Sequence, residues 1–145
     1  MQIPWYVAAL GAALVWGVHY PLIDYALKRV SIVTVLLLTA LPIVLIAPLF
    51  GRALLADMGS LRAMESGERV TVLALALTSL IGSVLLFVSI AGKNATLASL
   101  IEISYPVFVA LFAYLLFRET QINTSVILGG ALVFAGVVLI IWNNP

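Results

Sequence analysis

Glu102 stands inside a long apolar run, preceded by ATLASLI and followed by ISYPVFVALF. Read as a helix that begins near Asn94, the run buries this carboxyl about 12 Å from its start at ~1.5 Å per residue. A charge at the middle of a membrane helix costs roughly 2.5–3.5 kcal/mol on insertion scales, so Glu102 is expected to face a cavity or a partner, or to be carried protonated. On one unbroken helix Ser99, Glu102, Tyr105 and Pro106 share a broad face, because positions three and seven apart lie one above another. The chemistry this suggests is proton or cation coupling, with Tyr105 as hydrogen-bond partner. The alternative is a protonated Glu bonded within the bundle for packing alone.

A second group lies in the first apolar run, where Trp16, Tyr20 and Asp24 recur at intervals of four with His19 beside them. An imidazole changes charge near neutrality and suits a proton relay. A lone His that simply donates to a backbone carbonyl is the plainer reading. Asp24 precedes Lys28 by four residues, the favourable order for a helical ion pair. With no cysteine and a single His, the chain has no thiolate or His cluster for a metal. It contains no GxxxxGK[ST] loop and no nucleophile–base spacing. The expectation is no catalytic residue, no metal, no cofactor and no enzyme; any work must draw on an ion gradient or on a solute's own gradient.

The elements that position these residues follow from composition. Of 145 residues, 64% are hydrophobic and 9% charged, with a mean hydropathy of +1.23. Soluble domains carry roughly 25% charged residues, so lipid is the solvent for most of this chain. A net charge of +1 gives no basic field, and nucleic acid is excluded as a partner. No Lys or Arg precedes the first run, and that run is too long for a signal-peptide core, so it reads as a retained helix.

A spanning helix needs about 20 apolar residues. Five runs qualify, at 4–27, 31–50, 70–91, 94–117 and 124–142, and residues 52–69 form the one connection long enough to hold a short surface helix. Unpaired backbone is not tolerated in lipid, so these runs are helices. They lack the alternation of a β-barrel. The fold class expected is an all-α integral membrane protein with five transmembrane helices in a single domain, 1–145. Pro21, Pro42 and Pro106 are expected to kink their helices, with Pro48 interrupting the second. Small residues let membrane helices approach closely. Ser79, Gly82 and Ser83 form one such face, while Gly129, Ala131, Ala135 and Gly136 suggest packing or a dimer contact. Trp5, Tyr6 and Trp142 lie where aromatic belts sit. Asn94-Ala95-Thr96 matches a glycosylation sequon but abuts the membrane.

Five crossings put the termini on opposite sides. One side then holds Arg52, Arg62, Arg69 and Arg118, and the other Lys28, Arg29 and Lys93. Four against three is almost no bias, although this asymmetry is what sets orientation. A chain that inserts both ways and pairs head to tail would form an inverted repeat, a common plan for transporters.

The stretches ALVWGVHY, NATLASLIEISYPVFVALFAYLLFRET and LGGALVFAGVVLII carry a resemblance. The early Trp16-Gly17, the Pro106-Val107 pair, the run ending at Phe117 with Glu119, and Leu128-Gly129 with Gly136 seven residues on all match. On these residues the chain resembles one EamA-type half of the drug/metabolite transporter superfamily. The resemblance implies one half of a ten-helix inverted-repeat transporter that exports metabolites, amino acids or drugs through a cavity between two halves. It implies a secondary transporter of a small metabolite or drug-like solute working by alternating access as a dimer, here an antiparallel homodimer, in the cell membrane (inner or plasma). A half of a heterodimeric transporter and a non-transporting scaffold or accessory subunit are the alternatives. A basic residue often seen in the family's second helix is replaced here by Leu37, Leu38 and Thr39, so no site is carried over from it. The pathway residues expected are Trp16, His19, Tyr20, Ser99, Glu102 and Tyr105.

Overall fold

The computed structural model describes residues 3–120 and 122–144. Among them every regular element is helical: α1 (Trp5–Leu27), α2 (Ile32–Ile46), a 3-10 turn (Ala47–Phe50), α3 (Gly51–Ala63), α4 (Ser66–Gly92), α5 (Ala95–Glu102), α6 (Tyr105–Phe117) and α7 (Thr124–Asn143). Joined across their short breaks, these give five helical stretches long and apolar enough to cross a membrane: Trp5–Leu27, Ile32–Ala63, Ser66–Gly92, Ala95–Phe117 and Thr124–Asn143.

The helix starts follow the rule that a side-chain oxygen takes one of the free N–H groups of the first turn. Ser31 Oγ accepts from Thr34 N, Asn94 Oδ1 from Leu97 N at 2.9 Å, and Asn123 Oδ1 from Val126 N at 2.9 Å. The side chain of Asn94 in the sequon-like triplet is therefore a helix cap. At the end of α6, Arg118 turns into the left-handed region (φ 59°), and the N–H groups of Arg118 and Glu119 return to the carbonyls of Tyr114 and Ala113.

Two features depart from the pattern read in the sequence. Residues 52–69 hold the helix their length allows, but α3 follows directly on the 3-10 turn and only Met64 and Glu65 separate it from α4. Loss of apolar character ended the run, but ALLADM still holds good helix formers. The stretch Ile32–Ala63 holds 32 residues, more than the ~20 that a span needs, and Arg52, Asp57 and Arg62 all fall in its last part. Arg69 closes the turn. Its Nε donates to the Leu61 carbonyl at 3.1 Å, and its Nη2 donates to those of Arg62 and Met64 at 2.9 and 3.0 Å. A cation thus sits on carbonyls that a helix end leaves unpaired. Glu68 in turn accepts from the Glu65 N–H at 3.3 Å.

The second departure is in the fourth span, which is two helices. Pro106 has no N–H to give the Glu102 carbonyl, and its ring crowds that carbonyl. The backbone tightens here into 3-10-like turns: the N–H of Ser104 meets the Ile101 carbonyl at 3.2 Å, and that of Val107 meets the Ser104 carbonyl at 3.1 Å. Pro48 is the second residue of the 3-10 turn after α2, six residues past Pro42, which lies inside α2, and α1 runs through Pro21 without interruption.

The chain divides into two compact units. One joins α1 up to Leu22 with α5, α6 and α7, and its buried side chains are Ala95, Ala98, Ala110 and Val137. The other runs from Ile23 to Ala91 and buries Ile23, Val35, Phe87 and Ile90. Three alanines among the four buried residues of the first unit let its helices approach closely, which is how helices associate where lipid offers no hydrophobic drive.

Candidate functional site

The phenol of Tyr20 on α1 donates a hydrogen bond of 2.5 Å to Oε2 of Glu102, the last residue of α5. Both side chains are half-buried within the first unit. Each lies seven residues from an end of its own helix, Tyr20 from Leu27 and Glu102 from Ala95. At ~1.5 Å per residue each is about 10.5 Å along its helix from that end.

An aromatic group surrounds the phenol. The Trp16 and Tyr20 rings lie 5.7 Å apart at 36°, and the His19 ring meets Trp16 edge-on at 5.1 Å and 75°. The three residues occupy successive positions on one side of α1, and Trp16 remains 51% exposed. Asp24, the next residue in that register, is committed elsewhere, with Lys28 Nζ at 2.9 Å from its Oδ1 as the spacing predicts.

The stripe expected on the fourth span assumes an unbroken helix, and the break after Glu102 divides it. Ser99 Oγ donates to the Thr96 carbonyl at 3.0 Å within its own turn. Tyr105 opens α6 and is 58% exposed. The donor on Glu102 is therefore Tyr20, 82 residues away in sequence, rather than Tyr105. Trp16, His19, Tyr20 and Glu102 come together; Ser99 and Tyr105 flank them.

The small residues singled out in the sequence do not mark the close approach. A Cβ added at Gly82, Gly129 or Gly136 would meet nothing within 4 Å, whereas one added at Gly130 would stand 3.1 Å from Val107 Cγ2. Gly130 is where α6 and α7 press together, beside an apolar crevice of about 570 Å³ whose lining includes Ala131 and Pro106. The sequence offered no clear signal for it, since which glycine of the Gly129-Gly130 pair faces Val107 depends on how α7 is turned. Ala135 is exposed on α7, and on α4 Ser79 is exposed while Ser83 is half-buried. Among the described residues no three of His, Cys, Asp and Glu stand together as a metal site would require.

Five apolar helices, with a carboxyl held at depth by a tyrosine, define an integral multi-pass membrane protein. The model of the EamA-like transporter family matches residues 3–142, and the chain belongs to that family. Its members are transporters of small solutes rather than enzymes. Among curated proteins and among solved structures, none matches the chain.

Proposed function

We propose that the chain is a secondary transporter in which Glu102 is the coupling carboxyl, working by alternating access as an antiparallel pair in the cell membrane. The observation that carries this is the Tyr20–Glu102 hydrogen bond at the end of α5. Intramembrane acids are costly and mark ion or solute pathways. Solute and ion sites in secondary transporters commonly lie where a membrane helix is interrupted. Glu102 meets both conditions, since the helix stops at that residue and resumes at Tyr105. Tyr20 satisfies the carboxyl while the site is empty and ties its state to α1. His19, Trp16 and Tyr105 complete the lining.

The antiparallel arrangement draws support from the Lys and Arg count of four against three, which commits the chain to neither orientation. A second, inverted copy then supplies the other five helices of the cavity.

Glu102→Gln tests the coupling role, because the amide keeps an acceptor for Tyr20 but cannot exchange a proton. In vesicles loaded with a pH dye, solutes that move protons through the native protein should move none through the variant. Unchanged pH-dependent flux would remove Glu102 from the mechanism. For the arrangement, Asn144→Cys should react with an impermeant thiol reagent from both sides of the membrane. Labelling from one side alone, with transport intact and no second half-transporter present, would exclude the antiparallel homodimer.

A further inference from the structure

The turn between α3 and α4 carries a crevice of its own. Arg69 is fixed there by the carbonyls of Leu61, Arg62 and Met64, which take the hydrogens of its Nε and Nη2. Its Nη1 meets no acceptor among the described residues, and neither does the guanidinium of Arg62. Both arginines line one crevice of about 170 Å³, and Met58, Leu61 and Leu73 make the rest of its wall. Acids share the turn but not the crevice: Asp57, Glu65 and Glu68 are absent from its lining, and Glu68 accepts from the Glu65 N–H at 3.3 Å. The last carbonyls of α3 and the first N–H groups of α4 also meet at this turn, and their opposite partial charges offset each other. The two guanidiniums therefore set the sign of the crevice, and its complement is an anion.

The apolar wall decides which kind. A soluble anion gains nothing from Met58, Leu61 and Leu73, and a helix about 10–12 Å wide does not enter a space of about six water volumes. A phospholipid has both halves that the crevice asks for. Its phosphate oxygens suit the planar donor fork of Arg, and the first carbons of its chains cover the apolar side. Position agrees with this, because Asp57, Arg62, Glu65, Glu68 and Arg69 keep the turn at the boundary of lipid and water, where headgroups lie. Arg69 loses little freedom on binding, since three hydrogen bonds already hold it.

We infer that the α3–α4 crevice binds one anionic phospholipid, its phosphate on Arg62 and on Nη1 of Arg69 and its chain against Met58, Leu61 and Leu73. The lipid then ties the end of α3 to the start of α4 from the membrane side. The site stands apart from Glu102, and it does not depend on what the chain transports.

The test is native mass spectrometry of the full chain released from a neutral detergent, titrated with phosphatidylglycerol or with phosphatidylcholine of the same chains. One phosphatidylglycerol is expected to bind, and phosphatidylcholine, whose own cation offsets its phosphate, about 5- to 30-fold more weakly. Arg62→Gln keeps the backbone carbonyl that Arg69 uses and should weaken phosphatidylglycerol about fivefold or more. Arg52→Gln lies outside the crevice and should leave binding unchanged. Glycerol phosphate, which lacks the chains, should not displace the lipid at equal concentration. A second measurement needs no variant: phosphatidylglycerol, but not phosphatidylcholine, should slow proteolysis of the native chain between α3 and α4. Equal binding of the two lipids would overturn the inference, as would equal losses from Arg52→Gln and Arg62→Gln, which mark diffuse surface charge. Displacement by glycerol phosphate would make this a site for soluble phosphates and not for lipid. If Arg62→Gln were cut at the turn faster than the native chain without lipid, its fold would be altered, and the two lipids on the native chain would decide.

Discussion

The Tyr20–Glu102 bond can be weighed on its own by a double-mutant cycle of Tyr20→Phe and Glu102→Gln. Phe removes only the hydroxyl that donates at 2.5 Å, and the ring that meets Trp16 stays. Interhelical hydrogen bonds in membranes average about 0.6 kcal/mol in such cycles and reach about 1.7. This one lies at the short end of the O–H···O range and in the class that a carboxylate acceptor favours. Its acceptor is half-buried, so loss of the donor leaves a carboxyl oxygen with little water to turn to. The coupling energy should therefore fall in the upper part of the range, about 1–1.7 kcal/mol. Reversible unfolding in mixed micelles, followed by tryptophan fluorescence, gives the four stabilities. Contacts that do not interact add within about 0.3–0.5 kcal/mol. Additivity inside that margin would show that the bond does not join α1 to α5, and the reasoning that builds a site around it would go with it.

Three further outcomes follow from other parts of the molecule. Asn94→Ala removes the cap that accepts from Leu97 N, and should cost about 0.5–2 kcal/mol with faster amide exchange at the start of α5. Arg69→Met should free the carbonyls of Leu61, Arg62 and Met64 and cost about 0.3–1 kcal/mol. Limited proteolysis should then cut between α3 and α4 sooner, and Arg69→Lys should not restore protection, because one ammonium lacks the planar fork. Gly130→Ala sets a methyl 3.1 Å from the stiff Val107 side chain, while Gly129→Ala meets open space. The first should be less stable than the second by about 1 kcal/mol or more in the same micelle assay. Equal stabilities would place the α6–α7 approach elsewhere.

The five spans were legible because lipid imposes a single rule, a long apolar run with its backbone bonds closed internally. The Asp24–Lys28 pair was legible for a similar reason, since helical spacing alone brings the two together. Depth also led to Glu102. Its partner was not legible, because the contact joins residues 82 apart and depends on which face of α1 turns toward α5. Tyr105 looked closer in a continuous helix, and Pro106 breaks the continuity on which that geometry relied. The segment 52–69 was legible as room for a short helix, but not the direct run of that helix from the second span, since polarity marks where a helix leaves lipid and not where it stops. Arg69, which looked like one more positive charge in a loop, is the residue that ends α3.

The level of the Tyr20–Glu102 pair carries a consequence for how a solute would travel. If the helix ends mark the boundary of a ~30 Å core, each residue lies about 10.5 Å inside one face and not at its centre. In a pair of inverted copies with upright helices, one carboxyl is about 10.5 Å from one leaflet boundary and the other the same distance from the opposite one, leaving about 9 Å between them along the membrane normal. The passage then has two stations rather than one, and exchanging the roles of the copies turns an inward-facing arrangement into an outward-facing one of equal energy.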